Sequence, residues 1–289
     1  MSKLKSLQFL SGYVVGKHEE NKIKELGALA NLHDSIWIDK LEDVVDSSEA
    51  LEARMFDKNS INSLSLWWSV NKDENTVDSQ MESDILDKLR PHTNLKELQI
   101  RGYRSTTFPD CISYCEKLGN SEAFMNSQFH GLTHLNIEGG SGESVKCFPK
   151  EGMSNLKSLQ FLSDYIVGKH EENKIKELGA LADLHESISI GKLENVVNSS
   201  EALEARMSNK DGIDSITLTW SSNEEENTVD SEMERDILDK LQPHINLKEL
   251  QIKGYRGTRF PDWLQQETGE LCSIQEFAIS WAYLSFHSW

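Results

Sequence analysis

Residues 247–255 read Leu247-Lys248-Glu249-Leu250-Gln251-Ile252-Lys253-Gly254-Tyr255, and residues 95–103 read Leu95-Lys96-Glu97-Leu98-Gln99-Ile100-Arg101-Gly102-Tyr103. Leu250 and Ile252 alternate with polar residues, which is the period of a short strand with one buried face. The frame recurs upstream. In the second half of the chain it runs through Leu181, Leu184, Ile188, Ile190, Leu193 and Val196, then Ile213, Ile216, Leu218 and Trp220; in the first half through Leu29, Leu32, Ile36, Ile38, Leu41 and Val44, then Ile61, Leu64, Leu66 and Trp68. One more unit, Phe129-x-x-Leu132-x-x-Leu135-x-Ile137, lies between the halves.

The core of this frame, L-x-x-L-x-L, is what a leucine-rich repeat requires: a strand whose alternate residues point inward, then a turn and a segment on the convex side. The expected fold class is therefore α/β, a leucine-rich-repeat solenoid in the form of an irregular horseshoe. Parallel strands line its concave side, and helices and loops its convex side. Strands follow one another at about 25 to 35 residues, longer than an ideal repeat, so further elements must fill the gaps. Two helices are expected in each half. Ser48 to Met55 (again Ser200 to Met207) starts at a serine placed to cap it, and Asp46-Ser47-Ser48 and Asn198-Ser199-Ser200 both read as capping sequences. Ser79 to Leu89 opens on Ser79-x-x-Glu82, a capping box repeated at Ser231-x-x-Glu234, and ends before Pro91; Met81, Ile85 and Leu89 share one face.

Residues 1 to 110 reappear without a gap as residues 153 to 262, with roughly 27 of about 110 aligned positions different. The chain divides into a first repeat block (1–110), a short repeat-like connecting unit (111–152), a second block (153–264) and a divergent apolar tail (265–289). The tail is not the polar cap a solenoid needs, which predicts a C-terminal end that self-associates. The copies disagree unevenly. The outward strand positions are Ser35, Trp37, Asp39, Ser63, Ser65, Trp67, Glu97, Gln99 and Arg101 in copy one, and Ser187, Ser189, Gly191, Ser215, Thr217, Thr219, Glu249, Gln251 and Lys253 in copy two. Five of these nine pairs differ, while the apolar frame barely changes. Exposed tryptophans and arginines are frequent binding hot spots. Trp37, Asp39, Trp67, Glu97, Gln99 and Arg101, with Glu249, Gln251 and Lys253, are accordingly the candidate partner-binding residues, and Trp37, Trp67 and Arg101 would make a surface unique to the first copy.

Forty-eight acids against 30 bases give a formal charge of −18 over 289 residues, which repels phosphate backbones and anionic lipid. Nucleic-acid binding is not expected. The N-terminus carries no apolar core of signal-peptide length and no stretch is long enough to insert in a membrane, so a soluble cytoplasmic chain is expected. Cys111, Cys115, Cys147 and Cys272 lack the paired spacing of a zinc site or disulfide framework and read as free thiols. The acidic stretches Asn71–Thr76 and Asn223–Thr228 lack the ligand spacing and glycine turn of a calcium loop, and Gly139-Gly140-Ser141-Gly142 lacks the lysine of a phosphate loop. No catalytic residue, cofactor site or metal site is expected, since no nucleophile with a base, HExxH or GxSxG occurs.

Several runs then carry a resemblance: Leu159-Gln-Phe-Leu-Ser-Asp-Tyr-Ile-Val-Gly-Lys169, Ile175-Lys-Glu-Leu-Gly-Ala-Leu181, Lys192-Leu-Glu-Asn-Val196, Glu201-Ala-Leu-Glu-Ala-Arg206, Leu241-Gln-Pro-His244 and Gly254-Tyr-Arg-Gly-Thr-Arg-Phe-Pro-Asp-Trp263. Together they resemble the leucine-rich-repeat region of plant coiled-coil nucleotide-binding disease-resistance proteins. The middle segment resembles repeats found much later in such receptors. The resemblance implies a non-enzymatic module of innate immunity whose partner is a pathogen effector, a guarded host protein or the receptor's own switch domain, held by these repeats in its off state. The sequence has no GxxxxGK[ST], so nucleotide binding does not carry over. A truncated or rearranged relic with no independent activity is the alternative that the shuffled repeat order raises.

Overall fold

The computed structural model describes residues 5–17, 21–69, 79–105, 131–138, 153–169, 173–221, 231–265 and 276–280. The four cysteines, the acidic stretches, the Gly139–Gly142 turn and most of residues 265–289 lie outside the described residues. The chain forms two compact units, Met1–Leu159 and Gln160–Trp289.

In the first unit the strands are β1 (Gly12–Val14), β2 (Asp34–Asp39), β3 (Ile61–Trp67), β4 (Glu97–Arg101) and β5 (His134–Glu138). They pair in chain order and all in parallel. The second unit opens with β6 (Phe161–Leu162) and β7 (Asp164–Ile166), followed by β8 (Glu186–Gly191), β9 (Ile213–Thr219), β10 (Glu249–Lys253) and β11 (Glu276–Ser280). Strands β7 to β11 again pair in order and in parallel. Thus a segment of the apolar tail, Glu276–Ser280, continues the ladder.

The alternation read from the sequence sets the register. Ile36, Leu64, Leu98 and Leu135 face inward in one row, with Ile38, Leu66, Ile100 and Ile137 in the next; all are at most 3% exposed. The matching rows in the second unit, through Ile188, Ile216 and Leu250 and through Ile190, Leu218 and Ile252, are equally buried. Each such side chain contributes about 1.5–3 kcal/mol by leaving water, and the stacked rows make one continuous core per unit.

Between strands the chain returns through short 3-10 turns and through α1 (Ser48–Glu52) and α2 (Ser79–Lys88), repeated as α3 (Ser199–Glu204) and α4 (Ser231–Lys240); a last turn, α5, covers Asp262–Gln265. Helix α2 buries Ile85 and Leu86, with Leu89 buried in the turn that follows it, and α1 packs against both α2 and the 3-10 segment Ile23–Ala28. The first capping sequence works through Asp46, two residues before Ser48. Asp46 Oδ1 accepts from Ser48 N at 2.8 Å, and Asn198 Oδ1 accepts from Ser200 N at 3.0 Å. That bond holds the Asp46 carboxyl below the usual carboxylate range.

Glu82 reaches beyond its own helix. Its buried carboxylate accepts from Arg104 N at 2.8 Å and Ser105 N at 3.2 Å, beyond the end of β4. Arg104 Nη2 donates to Ser69 O, and Ser69 N donates to Glu42 Oε2 at 3.0 Å. The second unit repeats three bonds of the stitch: Arg256 N to Glu234 at 2.6 Å, Arg256 Nη2 to Ser221 O at 3.2 Å, and Ser221 N to Glu194 at 3.0 Å. These charges satisfy backbone groups left over where strands end, which would otherwise be costly to bury. Desolvation raises the carboxyl pKa of both Glu82 and Glu234.

Two lysines are also part of the interior. Lys58 (2% exposed) donates from Nζ to Leu29 O at 2.8 Å, and Lys210 (3%) to Leu178 O at 2.8 Å and to Leu181 O. Both close the open carbonyls at the end of a 3-10 segment. Burial pushes each ammonium down to about 8.

Candidate partner-binding face

The strand residues that alternate with the core form the opposite face of each sheet. In the first unit its most distinctive feature begins at Gly12. Strand β1 places Gly12 beside Trp37 of β2. A Cβ built on Gly12 would lie 1.9 Å from Trp37 Cε2 and 2.0 Å from Cζ2, so the indole rests directly on the bare backbone. Only glycine permits that approach. Trp37 also stacks on Trp67 of β3, with ring centroids 5.6 Å apart and planes 12° from parallel. A diagonal contact of this kind is within reach of large side chains on adjacent strands. Both indoles are half-buried, whereas the neighbouring Trp68, one residue on and therefore on the other face, is buried at 2% against Tyr103.

Polar groups continue the face beyond the indoles. Ser65 Oγ donates to Gln99 Oε1 at 3.3 Å, Gln99 Nε2 to Glu138 Oε1 at 3.5 Å, and Asn136 Nδ2 to the same oxygen at 3.0 Å. Arg101, opposite Trp67 in the ladder, pairs with Glu138 at 3.5 Å. Asp39 ends β2 two residues beyond Trp37, and Glu97 is exposed at the start of β4. Six of the sequence-derived candidates, Trp37, Asp39, Trp67, Glu97, Gln99 and Arg101, are therefore brought onto one sheet face. Glu249, Gln251 and Lys253 occupy the corresponding places on β10 of the second unit, where Thr217 Oγ1 donates to Gln251 at 3.5 Å.

The second unit builds the same ladder without the aromatic wall. Asp164 stands for Gly12, Ser189 for Trp37 and Thr219 for Trp67. One register place along, Val14 opposite Asp39 becomes Ile166 opposite Gly191, and a Cβ on Gly191 would meet Ile166 Cδ1 at 2.9 Å. Large and absent side chains are thus exchanged in pairs. The Gly12 and Ile166 partners of this exchange were not singled out in the sequence, because the spacing that identifies a strand does not reveal which residue of the next strand it abuts. Among the described residues no group of three or more His, Cys, Asp or Glu is placed to hold a metal ion, and no helix is long and apolar enough to cross a membrane.

Two in-register parallel ladders, each with a leucine-rich inner face and a polar outer one, to which the first adds two stacked indoles, define a leucine-rich-repeat solenoid protein. A family model described as R13L1/DRL21 LRRs matches residues 23–164 and 175–284, and the chain belongs to this family. Its relatives carry disease-resistance names. It is 39% identical over 118 residues to putative disease resistance protein RGA1 of Solanum bulbocastanum, covering 41% of this chain and 11% of that protein. It is 37% identical over 105 residues to putative disease resistance RPP13-like protein 1 of Arabidopsis thaliana (35% and 10%), and 37% identical over 110 residues to disease resistance protein RGA2 of Solanum bulbocastanum (38% and 11%). The chain spans about a tenth of the length of these curated relatives.

Proposed function

We propose that this chain is a non-enzymatic protein-interaction module of plant innate immunity, acting in the cytoplasm, and that the concave face of its first unit takes the partner. The partner class is a pathogen effector, a guarded host protein or the nucleotide-switch domain of a receptor. The observation that carries this reading is the contrast between the copies. The buried frame and the Glu, Arg and Lys stitches are kept, while Trp37, Asp39, Trp67 and Arg101 are replaced on the sheet face opposite the core. The disease-resistance names of the relatives supply the setting. In the same reading the modules are 1–110, 111–152, 153–264 and 265–289, with Glu249, Gln251 and Lys253 forming a separate contact surface on the second block and the C-terminal end able to self-associate.

The test is affinity capture from plant tissue with the full chain and with Trp37→Ala/Trp67→Ala/Arg101→Ala. The proposal expects at least one protein retained by the native chain and lost from the triple variant at unchanged helix and strand content. Identical capture by both would overturn it.

A further inference from the structure

The aromatic wall differs from its counterpart in more than size. Passing from the first unit to the second, Trp37 becomes Ser189, Trp67 becomes Thr219 and Asp39 becomes Gly191, so two indoles and a carboxylate disappear together. The strands beneath them are unchanged in register. The fold therefore does not need these three side chains, and Gly12, which seats Trp37, is replaced in step by Asp164.

Resting on the interaction reading above, we propose that the Trp37–Trp67 wall and Asp39 form a recognition site for an arginine side chain in an extended, basic segment of the partner protein. A guanidinium lying on an indole face is attracted by the ring's negative quadrupole, and arginine also stacks flat on it. Trp37 is held by Gly12 below and Trp67 beside it, so little side-chain freedom is lost on binding. Asp39 lies two residues further along the same strand and on the same face, about 7 Å from Trp37 along the backbone, close enough to pair with the same cation.

Charge points the same way. The cation already on this face, Arg101, is tied to Glu138 at 3.5 Å. Among the described residues neither Asp39 nor Glu97 has an ion-pair partner, and the Asp39 carboxylate accepts from the backbone N of Lys40 at 2.8 Å. With a net charge of −18 for the whole chain, a basic segment is steered in and an acidic one repelled.

The experiment measures binding of a short peptide of alternating arginine and serine to the full chain, alongside a counterpart in which citrulline replaces arginine with the same shape and no charge. The variant is Trp37→Ser/Trp67→Thr, the pair of residues the second unit carries, which leaves net charge untouched and which the fold is shown to accept. Expected are an about tenfold loss of affinity in that variant, a similar loss in Asp39→Asn, and a similar loss for citrulline. Grafting Asp164→Gly, Ile166→Val, Ser189→Trp, Gly191→Asp and Thr219→Trp should raise the stoichiometry from one site to two. Equal affinity for the native chain and Trp37→Ser/Trp67→Thr overturns the proposal, because attraction of a polycation to an acidic protein would then explain the binding. So does equal affinity for citrulline. A partner captured through Trp37 and Trp67 whose contacting segment is acidic or apolar would leave the interaction reading standing and overturn this one.

Discussion

Introducing Asp at position 12 should damage the first unit only while Trp37 is present. The new Cβ would sit 1.9 Å from Trp37 Cε2, less than any real contact allows, and the strand backbone on both sides is held by Trp37 N donating to Ser11 O and Val15 N to Asp39 O, each at 3.0 Å. The indole, being the freer of the two, must swing out. It then forfeits its stack on Trp67, worth about 0.5–1.5 kcal/mol, and re-exposes roughly 50 Å² of ring at about 25 cal/mol per Å², or about 1 kcal/mol. Gly12→Asp should thus destabilise β1 and β2 by about 2 kcal/mol. In a Trp37→Ser background the same change recreates the Asp164 and Ser189 pairing of the second unit, and its cost should fall within about 0.5 kcal/mol of zero. Native-state hydrogen exchange of the amides of residues 13–15 and 37–39 reads this locally, without interference from the second unit. An equal cost of Gly12→Asp in both backgrounds would refute the reasoning, since the substitutions would then be independent rather than coupled through the contact.

Further outcomes follow from the buried charges and the chain end. Lys58 and Lys210 have folded pKa values of about 8 against an ordinary 10.5, so between those values the unfolded chain binds more protons than the native one. Stability should therefore rise with pH from about 8, by up to about 3 kcal/mol per lysine (2.5 units at 1.36 kcal/mol each). Above pH 10 the trend should reverse, because burial raises the Tyr13, Tyr165 and Tyr255 hydroxyls and the unfolded tyrosines ionise first. Urea titrations across pH 7–11 check this, and Lys58→Met should flatten the rise for the first unit. Glu82→Ala orphans the amides of Arg104 and Ser105 and should cost about 2–3 kcal/mol, whereas Glu82→Gln, which can still accept, should cost about 1 kcal/mol or less by thermal denaturation. Phe277, 47% exposed on β11, should contribute to self-association, so light scattering at rising concentration should show a larger mass for the native chain than for Phe277→Asp.

The strands were the most legible part of the molecule. Every leucine, isoleucine and tryptophan of the frame from Leu29 to Trp68 and from Leu181 to Trp220 is buried, because a period of two on a one-faced sheet leaves no other register. It also separated Trp67 from Trp68 correctly. The candidate face was legible as a set of positions, but not as a set of contacts. That Trp37 would reach diagonally to Trp67 and lie on Gly12 depends on the lateral register between strands, which is set by turns such as Lys40 at φ 58° and Gly102 at φ 73°. The full role of the glutamate at 82 was hidden for a related reason. A Ser-x-x-Glu sequence points to a capping box, but nothing local discloses that the amides of Arg104 and Ser105, 22 and 23 residues on, also donate to this carboxylate. The burial of Lys58 left no signal in the sequence, since nothing near it in the chain discloses the carbonyl of Leu29 that its ammonium meets.

The account's central claim, that the first unit's concave face recognises a partner protein, is tested most directly by photo-crosslinking in plant tissue from a benzophenone residue at Ser65, beside the tryptophans, and at the matching Thr217. The account predicts a crosslinked partner from position 65 that is absent from position 217 and lost in Trp37→Ser/Trp67→Thr. Equal crosslinking from both positions, or a product indifferent to the tryptophans, would contradict it.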